Sequence, residues 1–356
     1  MSSTKPRPSR RKAQSEAEPL RLALPSKGEL EEPCVKFLAD CGLAVERPSL
    51  RGYTGAIPAL PGASVIFQRA ADIADKVEEG SADLGITGLD TVHEAQREDG
   101  DTLIVIEDLG FGGCQLVVAV PDPWIDVSNM ADLVDLSLQM REQGRILRVA
   151  TRYPRLLQRF FLNRGLYNYR AVEVSGALEA APTMGYADII CDLTATGATL
   201  RDNHLKPLPD GVVLVSQACL VGHRGNLSAS PAKLENARTL LEFAEARMKA
   251  RGFRMLSARV QGRNAREVER KVIRQAALAL DGLTMAPALG DGNYGEGWWA
   301  LSGVVPSSRV LEMVTALRQL GACQVVVSAP GYLFQESSGY YQRLVQRLDH
   351  AGSTSS

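Results

Sequence analysis

The sequence lacks both an excess of charge and a long apolar run. Its 356 residues include 40 basic and 41 acidic ones, so the formal net charge is −1. This balance gives no indication of nucleic acid or an anionic membrane as a partner. No segment approaches the roughly 20 apolar residues that a bilayer-spanning helix requires. Residues 1–18 are polar without an apolar core, so they do not form a secretory signal. We expect a disordered tail and a cytoplasmic protein.

The sequence also lacks clustered metal ligands and a P-loop. The cysteines are scattered, without a C-x-x-C pair or a neighbouring histidine, which argues against a zinc site. We interpret them as reduced core thiols, as is usual in the cytosol. The pattern G-x-x-x-x-G-K-[ST] of P-loop nucleotidases does not occur. The cysteines are Cys34, Cys41, Cys114, Cys191, Cys219 and Cys323.

Short apolar strands alternate with amphipathic helices along most of the chain, which is typical of an α/β protein with parallel sheets. Two or three domains are expected, because single cores stop growing at roughly 250–300 residues. Pro121 and Pro123 end a long strand and indicate a crossing between domains. A long helix is predicted over 231–248. Residues 253–328 then follow the order β-α-β-β-α-β of a ferredoxin-like unit.

The strongest local signal is segment 189–200, in which an apolar strand ends at Asp192 and small and hydroxyl residues lead into a predicted helix. Backbone N–H groups at a helix start can converge on a phosphate, and the helix dipole favours its negative charge. Gly197 can adopt a backbone conformation that other residues avoid. Spacing alone also fits an ordinary strand-to-helix turn with threonine caps. The hydroxyl donors of the segment are Thr194, Thr196 and Thr199.

This segment resembles the phosphate loop of the ATP phosphoribosyltransferase family. The family runs a strand into Asp-Leu-Val-Ser-Thr-Gly-x-Thr-Leu, and this chain has Asp-Leu-Thr-Ala-Thr-Gly-Ala-Thr-Leu at 192–200. Further blocks are similar to those of the family and follow its order, so the ordered set is more specific than any single block. The C-terminal unit resembles the regulatory domain of the family's long form. The further blocks are 22–28, 71–90, 109–114, 149–154, 175–179 and 185–188.

Three positions depart from the family pattern. Glu29 stands where the family often has arginine after Lys-Gly in the first loop. Thr194-Ala195 replaces Val-Ser, which moves one hydroxyl by one position. The block around Arg69 reads Gln-Arg-Ala-Ala-Asp where the family has Arg-Pro-x-Asp. These departures concern the nucleotide side of the site more than the phosphate loop.

The resemblance implies a fold and a reaction. The implied fold is α/β, with a two-lobed, periplasmic-binding-protein-like catalytic unit and a C-terminal ferredoxin-like (ACT-like) domain. The implied reaction joins N1 of the adenine of ATP to phosphoribosyl pyrophosphate, releases pyrophosphate and begins histidine biosynthesis. Mg²⁺ held mainly by substrate phosphates, histidine as feedback inhibitor and a homo-hexamer or dimer are also implied. The implied bounds are a tail at 1–18, lobe I at 19–121 plus 207–228, lobe II at 122–206, a linker helix at 229–252 and a regulatory domain at 253–348.

Carried over residue by residue, the resemblance implies three groups of site residues. The glycine-rich stretch 290–297 is expected to be either a hairpin turn or a loop near the effector pocket. No metal ligand is assigned. The candidate catalytic residues are Glu179, Asp192 and Lys27. The candidates for phosphoribosyl pyrophosphate are Asp192, Thr194, Ala195, Thr196, Gly197, Ala198 and Thr199, with the Asp192 carboxylate facing ribose hydroxyls. The candidates for ATP or pyrophosphate are Lys27, Arg69, Asp90, Gly112, Gly113, Arg152 and Tyr153.

Two other classes of function stay open at this point. A two-lobed α/β unit also suits a solute-binding protein or the effector domain of a transcription regulator. The lack of a secretory signal argues against the first, and the lack of a helix-turn-helix or basic patch argues against the second. A weakly active paralogue that regulates another subunit fits Glu29 and Ala195, but the retained loop 192–199 argues against it.

Overall fold

The computed structural model describes residues 18–49, 52–97, 99–173, 177–274, 283–288 and 297–352, which form three β-sheets with helices around them. Within these ranges no helix combines the length and the apolar character that a membrane crossing needs. The tail predicted at 1–18 lies outside the described residues except for Glu18. The stretch predicted as a turn or effector loop lies outside them except for Gly297.

The first sheet is buried on both faces. Its strands are β1 (Leu20–Pro25), β2 (Thr54–Ala56), β3 (Ala63–Gln68), β4 (Leu84–Gly88), β5 (Thr102–Ile106) and β11 (Ala218–His223), numbered in chain order. They are arranged β2-β3-β1-β4-β11-β5, with β1 parallel to β3 and β4, and β11 antiparallel to β4 and β5. Alternation along β1 turns Leu22 and Leu24 to one core and Ala23 to the other. The flanking helices are α1 (Glu31–Asp40), α2 (Ala70–Glu78), α3 (Leu89–Ala95) and α7 (Arg224–Ala229).

The second sheet holds the predicted phosphate loop. Its strands are β6 (Cys114–Pro121), β7 (Leu147–Thr151), β8 (Tyr169–Val172), β9 (Ile189–Thr194) and β10 (Leu205–Ser216). They are arranged β10-β6-β9-β7-β8, with β7 parallel to β8 and β9, and β6 antiparallel to β9 and β10. The helices are α4 (Met130–Glu142), α5 (Pro154–Asn163) and α6 (Ala198–Asp202). Helix α5 begins at Pro154 and buries Leu157 and Phe161.

The chain crosses between these two sheets at 107–113 and at Gln217. Strand β5 belongs to the first sheet and β6 to the second, so the crossing predicted near Pro121 and Pro123 lies earlier in the chain. Gly110 and Gly112 have positive φ angles, which allow the chain to bend there. The sequence also predicts that 212–215 returns to the first lobe, but these residues lie in β10 and pair with β6. Only β11 returns to the first sheet.

The third sheet has the predicted element order β-α-β-β-α-β. It follows the long helix α8 (Pro231–Arg251) and has the strand order β13-β14-β12-β15, with all neighbours antiparallel. Met255, near the start of the first strand β12, pairs with Ser328, the last residue of the last strand β15. The chain therefore enters and leaves this sheet at neighbouring strand ends. The elements are β12 (Phe253–Gln261), α9 (Ala265–Arg274), β13 (Thr284–Pro287), β14 (Trp298–Pro306), α10 (Val310–Gln319) and β15 (Cys323–Ser328).

The last helix, α11 (Gly339–Gly352), does not belong to the third sheet. It packs on α8 and β5, and Leu344 and Leu348 lie in the core of the first sheet. Ser338, which precedes α11, donates a hydrogen bond of 2.6 Å to Glu245 Oε2 of α8. The bound predicted for the regulatory unit, residue 348, therefore includes a helix that packs on the first lobe.

The six cysteines are free thiols, as the sequence predicts. Cys34, Cys41, Cys191 and Cys219 are buried, whereas Cys114 and Cys323 are half-buried. Burial raises the pKa of Cys41 and Cys219 to about 12. Both thiols are therefore neutral at physiological pH, and they act as small apolar side chains in the core.

Candidate functional site

The candidate site lies in a cleft between the first two sheets. Strands of both sheets end at this cleft. β4 leads into α3, β7 leads into Arg152 and Tyr153, and β9 leads into the loop before α6. Ligands of open α/β sheets bind outside the carboxyl ends of the strands, so this is the expected place for a substrate. A cavity of about 560 Å³ opens here. It is lined by Asp108, Gly110, Phe111, Gly113, Cys114, Gln115, Ala195, Val215, Ser216 and Gln217.

The predicted phosphate loop is a tight turn held by its own hydroxyls. Gly197 has φ +72°, and its N–H donates to Thr194 Oγ1 at 2.9 Å. The N–H of Ala198 donates to Thr196 Oγ1 at 3.4 Å. The helix predicted after the loop is present, although α6 is a single short turn. The loop is exposed at 195, 196, 198 and 199, so its backbone and hydroxyls face solvent.

Asp192 lies in β9, two residues before its last residue Thr194, and other charged groups are near it. Its Oδ1 accepts the N–H of Leu193 at 2.9 Å. Burial raises the pKa of this carboxyl, the positive charge of Arg152 opposes the rise, and the negative charges of Glu179 and Asp90 add to it. Glu179, Asp90 and Arg152 therefore lie near enough to Asp192 to influence its ionisation.

Asp90 forms a buried hydrogen-bond cluster between the lobes. Ser216 Oγ, at the end of β10, donates to Asp90 Oδ1 at 2.6 Å. Tyr153 Oη donates to Asp90 Oδ2 at 2.7 Å, and Thr91 Oγ1 donates to the same oxygen at 3.2 Å. Burial and the adjacent Asp90 carboxylate raise the pKa of Tyr153 far above its usual range, so the phenol stays a neutral donor. Tyr153, which the resemblance assigns to ATP or pyrophosphate, thus bonds to Asp90 in the structure.

The predicted cations of the site lie at its rim. Lys27, Arg69 and Arg152 are exposed. Arg69 is the N-cap of α2, which begins at Ala70. Among the described residues, neither Lys27 nor Arg69 forms a hydrogen bond or ion pair with the second lobe. The structure thus places them on the first lobe without bringing them to the phosphate loop.

Gly112 and Gly113, two of the candidates for ATP or pyrophosphate, lie in the crossing segment 107–113 and differ in the space around them. Gly112 has φ +71°, and a Cβ there would lie 2.5 Å from Leu30 Cδ2. A larger residue at this position would therefore be strained and would displace Leu30. A Cβ at Gly113 would meet nothing within 4 Å. Close packing therefore requires glycine at 112 but not at 113.

Comparison with known proteins places the chain in a family. The model of the family described as ATP phosphoribosyltransferase matches residues 69–243. ATP phosphoribosyltransferase 1, chloroplastic, from Arabidopsis thaliana is 37% identical over 338 residues, which cover 94% of this chain and 82% of that protein. ATP phosphoribosyltransferase from Bradyrhizobium sp. (strain ORS 278) is 38% identical over 328 residues, covering 92% and 97%. The chain belongs to the ATP phosphoribosyltransferase family of histidine biosynthesis.

Membership of the ATP phosphoribosyltransferase family makes the protein a transferase, and the solute-binding and regulator classes are set aside. The family also has shorter members: 97% of the relative from Chelativorans sp. (strain BNC1) aligns with 63% of this chain at 46% identity. Part of this chain therefore has no counterpart there. An ATP phosphoribosyl transferase complex from Thermotoga maritima superposes with a TM-score of 0.49 and 25% identity, covering 63% of this chain and 95% of that one.

A second contact between the two lobes of this phosphoribosyltransferase joins α3 to the start of α5. Glu94 accepts the N–H groups of Arg155 and Leu156 at 2.8 and 2.9 Å. In return Arg155 and Arg159 donate to the carbonyls of Glu94 and His93, both at 3.1 Å. Sequence reasoning missed Glu94 and Ser216, because neither stands in a motif. Each acts through a partner more than 60 positions away, so no local pattern could have revealed it.

Proposed function

We propose that the protein joins N1 of the adenine of ATP to phosphoribosyl pyrophosphate and releases pyrophosphate, as the first step of histidine biosynthesis. The observation that carries this proposal is the exposed loop 195–199, which follows Asp192 at the interlobe cleft of a family member. The hydroxyls of Thr196 and Thr199 are donors of the kind that a phosphate needs, whereas the N–H groups of Gly197 and Ala198 bond to hydroxyls within the loop. ATP and phosphoribosyl pyrophosphate are accordingly the proposed partners.

The nucleophile is weak and the transition state at the ribose carbon resembles an oxocarbenium ion, so orientation and charge stabilisation are the main tasks of the protein. The loop binds the 5′-phosphate of the donor. Asp192 accepts from ribose hydroxyls, and Glu179 contacts ribose or assists proton movement at adenine. Lys27, Arg69 and Arg152 neutralise pyrophosphate or triphosphate after the substrates draw the lobes together. Asp90 and Tyr153 hold the base of the cleft, and Gly112 and Gly113 shape its wall.

Mg²⁺ is the proposed cofactor. Among the described residues no group of three or more acidic, histidine or cysteine side chains is arranged to hold a metal. Mg²⁺ needs few protein ligands, because it keeps most of its waters and is bound mainly through phosphate oxygens. Asp192 is the residue that would accept from such a water, since only its Oδ1 is engaged by Leu193. When bound, the ion neutralises the leaving pyrophosphate.

The remaining proposals concern organisation and regulation. Lobe I contains the first sheet and lobe II the second, with α8 as linker helix. Residues 253–328 form a ferredoxin-like, ACT-like regulatory domain that mediates feedback inhibition by histidine; the strand order β13-β14-β12-β15 supports this. A homo-hexamer or dimer is the proposed assembly. The cytoplasm is the proposed location, although the two Arabidopsis relatives are named chloroplastic.

The test is ultraviolet absorbance of the full chain with ATP, phosphoribosyl pyrophosphate, Mg²⁺ and a pyrophosphatase. A rise that needs both substrates and falls with histidine is expected.

Thr196→Val should lower kcat by about 10²–10³ without unfolding, because one donor to the phosphate is lost. Thr315→Val on α10, where the hydroxyl bonds only to its own helix, is the matched control. Near-normal turnover of Thr196→Val would refute the loop assignment, and no turnover of the wild type would leave the regulatory paralogue.

A further inference from the structure

A second large cavity lies outside the cleft, between the edge strand β5 and helix α11. Its volume is about 780 Å³, within the range of small-molecule sites. Its walls come from the end of α3, the whole of β5, the start of α7 and one face of α11. Neither the phosphate loop nor any predicted site residue lines it. Asp108 lines both cavities, so the second lies directly behind the crossing segment 107–113.

Four arginines line this cavity, which we call the arginine pocket: Arg97, Arg224, Arg343 and Arg347. In the described part of the chain none of the four is in an ion pair, whereas seven other arginines are. Arg224 Nε is buried and has no hydrogen-bond partner among the described residues. Like charges one turn apart on a helix repel each other, so Arg343 and Arg347 on α11 are unfavourable without a counter-charge.

The positions of these guanidinium groups are set by their neighbours. Arg347 donates to the carbonyl of Ile104 on β5, which ties α11 to the sheet edge. Arg343 lies over the ring of Tyr340, with 4.8 Å between its Cζ and the ring centroid. The two cationic side chains on α11 are thus already partly oriented. The backbone N–H of Arg224 donates to the carbonyl of Asp101 at 2.8 Å, which joins the start of α7 to the residue before β5.

The acidic groups of the pocket are fewer than the basic ones. Of the described residues, Glu107 and Asp108 line it, and Glu78 accepts hydrogen bonds from the N–H and hydroxyl of Thr102 in its wall and interacts with the charge of Arg97. Asp108 is partly engaged, since its Oδ1 accepts the N–H of Gly110 at 2.7 Å. Asp101 lies nearby, but its carboxylate faces His223 Nε2 at 3.9 Å. Four guanidinium groups thus meet fewer carboxylates among the described residues of the lining, which favours an anionic ligand.

We propose that the arginine pocket binds a small phosphate monoester. A phosphate monoester is an anion, and its three terminal oxygens can accept from guanidinium groups on more than one wall. A carboxylate has two oxygens and one charge, so it satisfies fewer of these donors. The bound ligand joins α11 to β5 and to the start of α7, and it stabilises the docked position of α11. This proposal is independent of the reaction proposed above.

The test uses glycerol 3-phosphate as the probe and isothermal titration of the full chain. Wild type should bind, and Arg343→Gln and Arg224→Gln should each raise Kd at least about tenfold, because a charge-assisted hydrogen bond is lost. Arg238→Gln on α8, an exposed arginine paired with Glu242, should leave Kd unchanged. Arg343 is exposed and makes no hydrogen bond among the described residues, so its variant should fold.

Hydrogen exchange locates the probe. Protection at 102–108 and 339–347 supports the proposal, and protection confined to 192–199 overturns it. Absence of binding to wild type, or an unchanged Kd in Arg343→Gln, also overturns it. Succinate titrated in parallel separates the ligand classes: weaker binding supports a phosphate site, and equal or tighter binding contradicts it.

Discussion

At the scale of single residues, Asp90 is the group through which the two lobes meet. Its buried carboxylate accepts three hydroxyl hydrogen bonds, two of them from the second lobe. A buried carboxylate is stable only when its oxygens are satisfied by donors. Tyr153 and Ser216 therefore stabilise one relative position of the lobes, the position in which Asp90 is fully hydrogen-bonded.

Tyr153→Phe should lower stability by about 1.5–3 kcal/mol, because it removes a hydrogen bond to a charged group. The midpoint of thermal unfolding measures this loss. In a double-mutant cycle with Asp90→Asn, the two losses should be less than additive. Tyr167→Phe is the control, since this tyrosine is exposed. Additive losses would show that the Tyr153–Asp90 bond does not contribute.

The residue scale also shows what a sequence can predict about this site. The loop 192–199 was found because its donors are consecutive, so one stretch of chain carries the whole pattern. Asp90 was found through a resemblance and was assigned only as a candidate for ATP or pyrophosphate. Its partner Ser216 lies 126 positions away on a strand end, where serine carries no local signal. The pairing follows from the crossing at Gln217, which periodicity does not reveal.

At the scale of elements, the start of α5 is capped by another lobe. The first N–H groups of a helix have no partner within it, and a carboxylate there also interacts favourably with the helix dipole. Glu94 of α3 supplies that carboxylate to Arg155 and Leu156. The preceding Tyr153 makes no side-chain cap of its own. The start of α5 is therefore completed only when α3 is docked.

Glu94→Ala should destabilise the protein by about 1 kcal/mol, the usual effect of losing a helix cap. It should also speed hydrogen exchange at the amides of Arg155 and Leu156, which lose their acceptor. Glu142→Ala at the end of α4 is the control, since this residue is exposed. Unchanged exchange at both amides would contradict the interlobe cap.

Prediction from sequence succeeded for elements with strong periodicity and punctuation and missed elements defined by long-range packing. The long helix predicted over 231–248 is present as α8, which begins at Pro231 and ends at Arg251. Helix α11 was not predicted, although Leu344 and Leu348 form an apolar face, because that face is buried against α8 and β5. Strands β5 and β6 were expected to share a domain, since sequence neighbours usually pair. The glycine bend between them separates them into two sheets.

At the scale of the whole molecule, Glu245 holds the C-terminal helix in place. It accepts the hydroxyl of Ser338 at 2.6 Å and the N–H of Tyr340 at 3.3 Å, and it pairs with Lys249 at 3.1 Å. Burial alone would raise the pKa of this carboxyl, but the hydrogen bonds from Ser338 and Lys249 hold it below the usual 4.5. The ionised form is therefore the one that stabilises the docked α11.

Glu245→Gln should lower the thermal midpoint at pH 7, with a loss of about 1.5–3 kcal/mol for the charged hydrogen bonds. Because the folded pKa is depressed, this contribution is present above the unfolded pKa and disappears as pH falls through the folded one. The difference between variant and wild type should thus shrink below about pH 4.5. Glu235→Gln on α8, whose side chain is 66% exposed, is the control. A difference that is constant with pH would argue against the ionised carboxylate.

The pairing of Met255 with Ser328 has a consequence for how the molecule assembles. While the third sheet is unfolded, α11 is tethered to α8 by a long flexible segment, and closing that segment costs chain entropy. The folded sheet brings the two ends of the segment together and removes most of this cost. Folding of the third sheet and docking of α11 are therefore coupled through the entropy of the connecting chain. Whatever stabilises the sheet also favours the arginine pocket, because α11 forms one of its walls.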